Sequence, residues 1–123
     1  MNAEASALVI DLAKELIEML SAQYEKWSEG YFRFCLEESR LGSNGSYVHE
    51  SGVDLIDPFR SATFFDAMNL KSAKLFKVLG KSKGVLLLSV TSEFQYDIQF
   101  DFENLDRWRI SKVGGGNGFP ANV

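Results

Sequence analysis

The chain has 123 residues, 46% of them apolar and 13% aromatic, which is enough for one domain to bury a core without disulfides or a structural metal. A net charge of −4 argues against nucleic acid as a direct partner, because phosphate binding needs clustered Lys and Arg and the summed field repels polyanions. No uncharged apolar run reaches the length of a membrane span, and a single cysteine, Cys35, suits a reducing compartment, so the cytoplasm is expected.

Residues 4–27 carry a helical pattern: Val9, Leu12, Ala13, Leu16, Leu20, Tyr24 and Trp27 recur at three- and four-residue steps, ending near Gly30. Period two follows, with Phe32, Phe34 and Leu36 on one face of a strand. Asn44-Gly45, in the run 42–45, is a strong hairpin-turn signal, with Ser46 to Glu50 as the returning strand. A third extended piece spans Val53–Ile56 and stops before Pro58.

Residues 61–80 read as a helix with Phe64, Phe65, Met68, Leu75, Phe76 and Leu79 on its apolar side and a possible break at Asn69 to Ser72. Val85 to Val90 is long enough for a central strand and short for a helix. Phe94, Tyr96, Ile98, Phe100 and Phe102 then alternate with Gln95, Asp97, Gln99, Asp101 and Glu103. That alternation predicts an inner antiparallel strand with one face on the helices. Residues 108–113 fit an edge strand or a short helix, and the Gly-rich segment 114–123 reads as a flexible tail. The expected fold class is α+β: an N-terminal helix and a second helical segment packed on an antiparallel sheet, with residues 1–113 as one domain.

Chemistry has few candidates. The lone histidine, His49, lies on a short polar strand, and a nucleophilic pair would need distant Cys35 to meet it; the hairpin brings the two strands together, but alternation does not by itself put the two side chains on one face. One Cys and one His exclude zinc sites built from those residues. Asp97 and Asp101 share a face but stand roughly 13 Å apart, too far to grip one cation. The glycines of 114–118 lack the Lys-Ser/Thr ending of a phosphate loop. No catalytic residue, cofactor or metal ligand is expected, and the protein reads as a binder rather than an enzyme.

Charge is unevenly distributed. Residues 1–70 hold twelve acids against five bases, residues 71–83 hold five lysines, and no base occurs from Gly84 to Asp106. Asp97, Asp101 and Glu103 stand in a row on the polar face of their strand, and Glu37, Asp54 and Asp57 form a second acidic group around the hairpin. These six are the expected partner-binding residues, suited to a basic protein surface. The alternative role for the first group is pairing with lysines 71–83 of the same molecule.

The stretch Phe94-Gln95-Tyr96-Asp97-Ile98-Gln99-Phe100-Asp101-Phe102-Glu103-Asn104-Leu105, with the long first helix, its Tyr24-to-Trp27 end and the strand 84–90, resembles the YezG-like immunity-protein family. Ser92-Glu93 stands where the family pattern has a glycine before the aromatic strand. The resemblance implies an antitoxin that binds and blocks a cognate polymorphic toxin, with a basic nuclease domain as the expected partner. A small acidic adaptor or secretion chaperone is the alternative.

Overall fold

A computed structural model describes residues 1–123. Two helices, α1 (Ala3–Gln23) and α2 (Ala62–Val78), pack on one face of a five-stranded antiparallel sheet. The strands are β1 (Glu29–Glu37), β2 (Arg40–His49), β3 (Gly52–Leu55), β4 (Lys83–Thr91) and β5 (Tyr96–Asp101), in spatial order β3-β2-β1-β4-β5. This is the α+β architecture expected from the sequence.

Helix α1 starts because the Asn2 side chain accepts the backbone N–H of Ala5 at 2.8 Å, satisfying one of the free donors of its first turn. Its apolar stripe of Leu8, Leu12, Leu16 and Leu20 is buried. The helix ends at Gln23, a turn earlier than the periodicity predicts. Tyr24 leaves it in extended geometry and stacks on Tyr47, with ring centroids 3.9 Å apart. The chain then turns at Lys26, whose φ is 56°, so Trp27 reaches the core from a loop and donates to the Ser21 hydroxyl. Apolar spacing survives across this boundary because Trp27 is buried, and Tyr24 half-buried, by a route other than the helix.

The largest departure is the first hairpin. Its turn is Glu38-Ser39, between Glu37 and Arg40, with Glu38 in the left-handed region at φ 55°. Asn44 and Gly45 lie inside β2, opposite Arg33 and Phe32. The glycine is needed for close approach rather than for turning: a Cβ there would stand 2.6 Å from the Tyr31 carbonyl oxygen and 2.8 Å from Ile56 Cδ1. Asn44 sends its side-chain amide across to the Ile110 carbonyl oxygen at 2.8 Å. Both residues serve tertiary packing, which overrides their turn propensity.

Helix α2 runs unbroken through Asn69 to Ser72. It buries Phe65, Met68, Leu75 and Phe76 beside Phe32, Phe34, Leu86 and Leu88 in the main core. β1 is the middle strand and β4 lies inside the sheet, whereas β5 is an edge strand, not the inner strand expected. Its face assignment holds for Ile98, Phe100 and Phe102, which pack on the helical side. Phe94, 74% exposed, belongs to the β4–β5 turn with φ 67°, and Tyr96 is half exposed. That turn has the geometry of a three-residue hairpin loop, whose last position favours the left-handed region.

The opposite face of the sheet carries a second, smaller core. Trp108 and Ile110, neither on a strand nor on a helix, are buried against Tyr31, Val85 and Leu87. Arg33 clamps this segment by donating to the carbonyl oxygens of Arg107 at 2.8 Å and Leu105 at 2.7 Å. The segment expected to be a flexible tail is placed back on the molecule: Gly118 and Pro120 are buried, and the Phe119 ring meets Tyr31 edge-on. No helix is long and apolar enough to cross a membrane.

Candidate functional site

The six acids predicted to bind a partner fall at separate places. Asp97, Asp101 and Glu103 lie on or just after β5; Asp54 and Asp57 lie on or just after β3, at the opposite edge. Four inter-strand steps separate those edges, about 19 Å at the usual strand spacing. Glu37 sits at the β1–β2 turn and pairs with Arg40 at 3.4 Å.

Several of these carboxylates already have structural work. Asp101 accepts backbone N–H bonds from Glu103 and Asn104 and pairs with Arg107 at 3.1 Å. Those backbone bonds, followed by the arginine, hold its carboxyl below the usual carboxylate range. Its role is to turn the chain off β5 towards the outer face, and its cation is Arg107 rather than a lysine of 71–83. Lys71 instead pairs with Glu15 of α1 at 2.8 Å. Asp57 accepts the N–H groups of Phe59 and Arg60 and shapes the approach to α2. Asp54 binds Lys112 at 3.0 Å and His49 at 2.8 Å, in that order the causes of its lowered pKa. It ties the C-terminal segment to β3.

Asp97 and Glu103 differ: their carboxylates have neither an ion pair nor a side-chain hydrogen bond, and both residues are exposed. On the outer face, Asp97 lies opposite Ser89 of β4, and Glu29 of β1 lies opposite Thr91 of the same strand. The pair of acids therefore flanks one end of β4, with Gln95 and the Tyr31 ring lining the same shallow depression. Burial, followed by the neighbouring Glu29 carboxylate, pushes the Tyr31 phenol up to about 12. Trp108 and Ile110 reach as far as Val85, Leu87 and Tyr31, and beyond Tyr31 the acidic end of the outer face, with Asp97 exposed, stays open. The sequence pointed to Asp97 and Glu103 through the base-free interval; Glu29 was missed, since only the β1–β4 register brings it near.

The largest concavity has the opposite sign. It lies between the β1–β2 hairpin and the C-terminal segment, where Arg33, Arg40 and Arg109 outnumber Glu37. All three arginines are engaged: Arg33 by carbonyl oxygens, Arg40 by Glu37 and Arg109 by Asp106. Cys35 lies half-buried in this groove, on the outer face.

His49 is remote from that thiol. Cys35 pairs with Gly42, and His49 lies seven residues further along β2, about 23 Å away and on the other face. Its Nδ1 accepts the Ser51 N–H at 3.1 Å, which leaves Nε2 to carry the proton donated to Asp54. With both ring nitrogens occupied, the imidazole has no free lone pair to take a proton from a substrate. No group of three or more His, Cys, Asp or Glu is placed to hold a metal ion.

The candidate site is thus an open, acidic strip along β5 and the adjoining end of β4, on a two-layer α+β domain. In comparisons with known proteins, the chain matches no family model and no curated protein.

Proposed function

We propose that the protein is an immunity protein that binds a cognate bacterial toxin and blocks it by stoichiometric occlusion, the toxin being a basic nuclease domain. The observation that carries this reading is that the exposed carboxylates of Asp97 and Glu103, with the half-buried Glu29 in the same depression as Asp97, are neutralised by no cation of the same chain. Nuclease sites are electropositive because they hold a polyanion, so such a strip gains complementarity and faster association. The resemblance of residues 94–105 to the YezG-like family supports the same reading. The engaged imidazole of His49 favours binding over turnover.

Tagged protein recovered from its native cells with its bound partner, identified by mass spectrometry, supplies the toxin for a titration. The activity should reach its endpoint near about one equivalent, as expected of tight one-to-one binding. Asp97→Lys with Glu103→Lys should slow association and weaken the complex by about a hundredfold, with melting unchanged. Complete inactivation by about a hundredth of an equivalent, persisting after the protein is removed, would replace occlusion with catalytic modification of the toxin.

A further inference from the structure

The outer edge of β5 is unpaired, and its hydrogen-bonding phase can be read from the hairpin. Thr91 donates its N–H to the Gln95 carbonyl oxygen, and the β4–β5 register continues as Ser89 opposite Asp97 and Leu87 opposite Gln99. In an antiparallel ladder, bonded and non-bonded pairs alternate, so Tyr96, Ile98 and Phe100 point their N–H and C=O groups away from β4. None of these groups bonds to a loop or a side chain. The strand has no proline, no lysine and no helix or loop bonded along it, and its two charges, Asp97 and Asp101, stand on the outer face.

We propose that this edge pairs with the same edge of a second copy, giving a two-fold dimer with one sheet continuous through both molecules. The strand is self-complementary in one register. With Ile98 opposite Ile98, the inward-facing residues align as Tyr96 with the second copy's Phe100, an aromatic cross-strand pair. On the outer face, Asp97 then meets Gln99, and Gln95 meets Asp101, so each carboxylate lies opposite an amide donor rather than another acid.

The neighbouring in-phase registers lose this match. Sliding by two residues one way places Asp97 opposite Asp101; sliding the other way places Asp97 opposite itself. Like charges directly opposite destabilise a strand pair, so the acids select the central register. Apolar surface beside the edge fits the same occupant. Tyr96 is 49% exposed and Ile10 of α1 is 41% exposed, lining a groove with Ile17 at the end of β5 where the second copy's Phe100 would arrive.

Sedimentation velocity on the protein alone, over about a hundredfold range of concentration, tests this without any toxin, so its outcome is separate from that of the proposed function. The wild-type chain should be a dimer dissociating on dilution. Gln99→Asp sets carboxylates opposite Asp97 at two symmetric positions and should raise the dissociation constant about tenfold or more. Asp97→Gln combined with Gln99→Asp restores every amide–carboxylate pair and should return the constant to within about threefold of wild type. Circular dichroism establishes that each variant is folded, and Gln99→Glu replaces Gln99→Asp if the latter is not. A monomer at every concentration, a dimer indifferent to Gln99→Asp, or a double variant as weak as the single one would each overturn the proposal.

Discussion

Gly45→Ala tests whether this glycine serves packing or turning. The new methyl group would stand 2.6 Å from the Tyr31 carbonyl oxygen, which moves only if the β1–β2 ladder moves, and 2.8 Å from Ile56 Cδ1. Ile56 is 2% exposed and has little room to change rotamer. Overpacking of this kind costs about 1–3 kcal/mol. Against it stands about 0.4–1 kcal/mol gained because alanine restricts the unfolded chain. The net loss should be about 1–2 kcal/mol. Gly42 provides the control in the same strand, with no atom within 4 Å of its would-be Cβ and a φ outside the left-handed region. Gly42→Ala should therefore be stabilising by about 0.4–1 kcal/mol. Urea melts followed by circular dichroism should separate the two variants by about 1.5–3 kcal/mol, with equal m-values. Equal midpoints for the two variants would refute the close-approach argument and the register that underlies it.

The outer core offers a second measurement. Trp108 is 2% exposed and its indole N–H has no acceptor, so Trp108→Ala should cost about 3–5 kcal/mol in urea, whereas Trp108→Phe should cost less than about 1.5 because it keeps most of the buried ring while removing an unpaired donor; a Trp108→Phe loss of about 3 kcal/mol or more would show that losing the unpaired donor returns nothing. Tyr31 should ionise near pH 12 in an ultraviolet titration. Its raised pKa favours the neutral phenol in the folded state, so that contribution to stability is complete below pH 10 and lost as the pH rises through about 12. Glu29→Gln should lower the Tyr31 midpoint while leaving it above 10, since burial is the larger cause; a midpoint unmoved by that change would remove Glu29 from the account.

Elements with a sustained period were legible in the sequence. The stripe of α1, the apolar run of β4 and the inward face of β1 each declare themselves because burial on one side imposes a repeat. What failed was position within the sheet. The alternation from Phe94 to Phe102 fixes which side chains share a face, but an edge strand with one covered face has the same pattern as an inner one. Asn44-Gly45 misled for a different reason: the close approach of Ile56 and the Tyr31 carbonyl requires a residue without Cβ, and no local pattern reveals a contact between distant segments. Nor does periodicity mark residues 105–120, whose buried groups Trp108, Ile110, Gly118 and Pro120 attach to the sheet from irregular backbone.

The acids show how the same residue type divides between architecture and recognition. A carboxylate that accepts two backbone N–H groups, as Asp101 does, is committed to the turn that follows it, and its removal would disturb the route of the chain to Arg107. Asp54 is similarly committed to Lys112 and His49. Charge counting along the sequence weighs these equally with Asp97 and Glu103, which have no such partner. Binding energy against a basic surface comes from charges whose own fold leaves them unneutralised, because a committed carboxylate must give up an existing cation before it can help a new one. On that ground the β3 group is the weaker half of the expected interface, and the β5 strip with Glu29 the stronger.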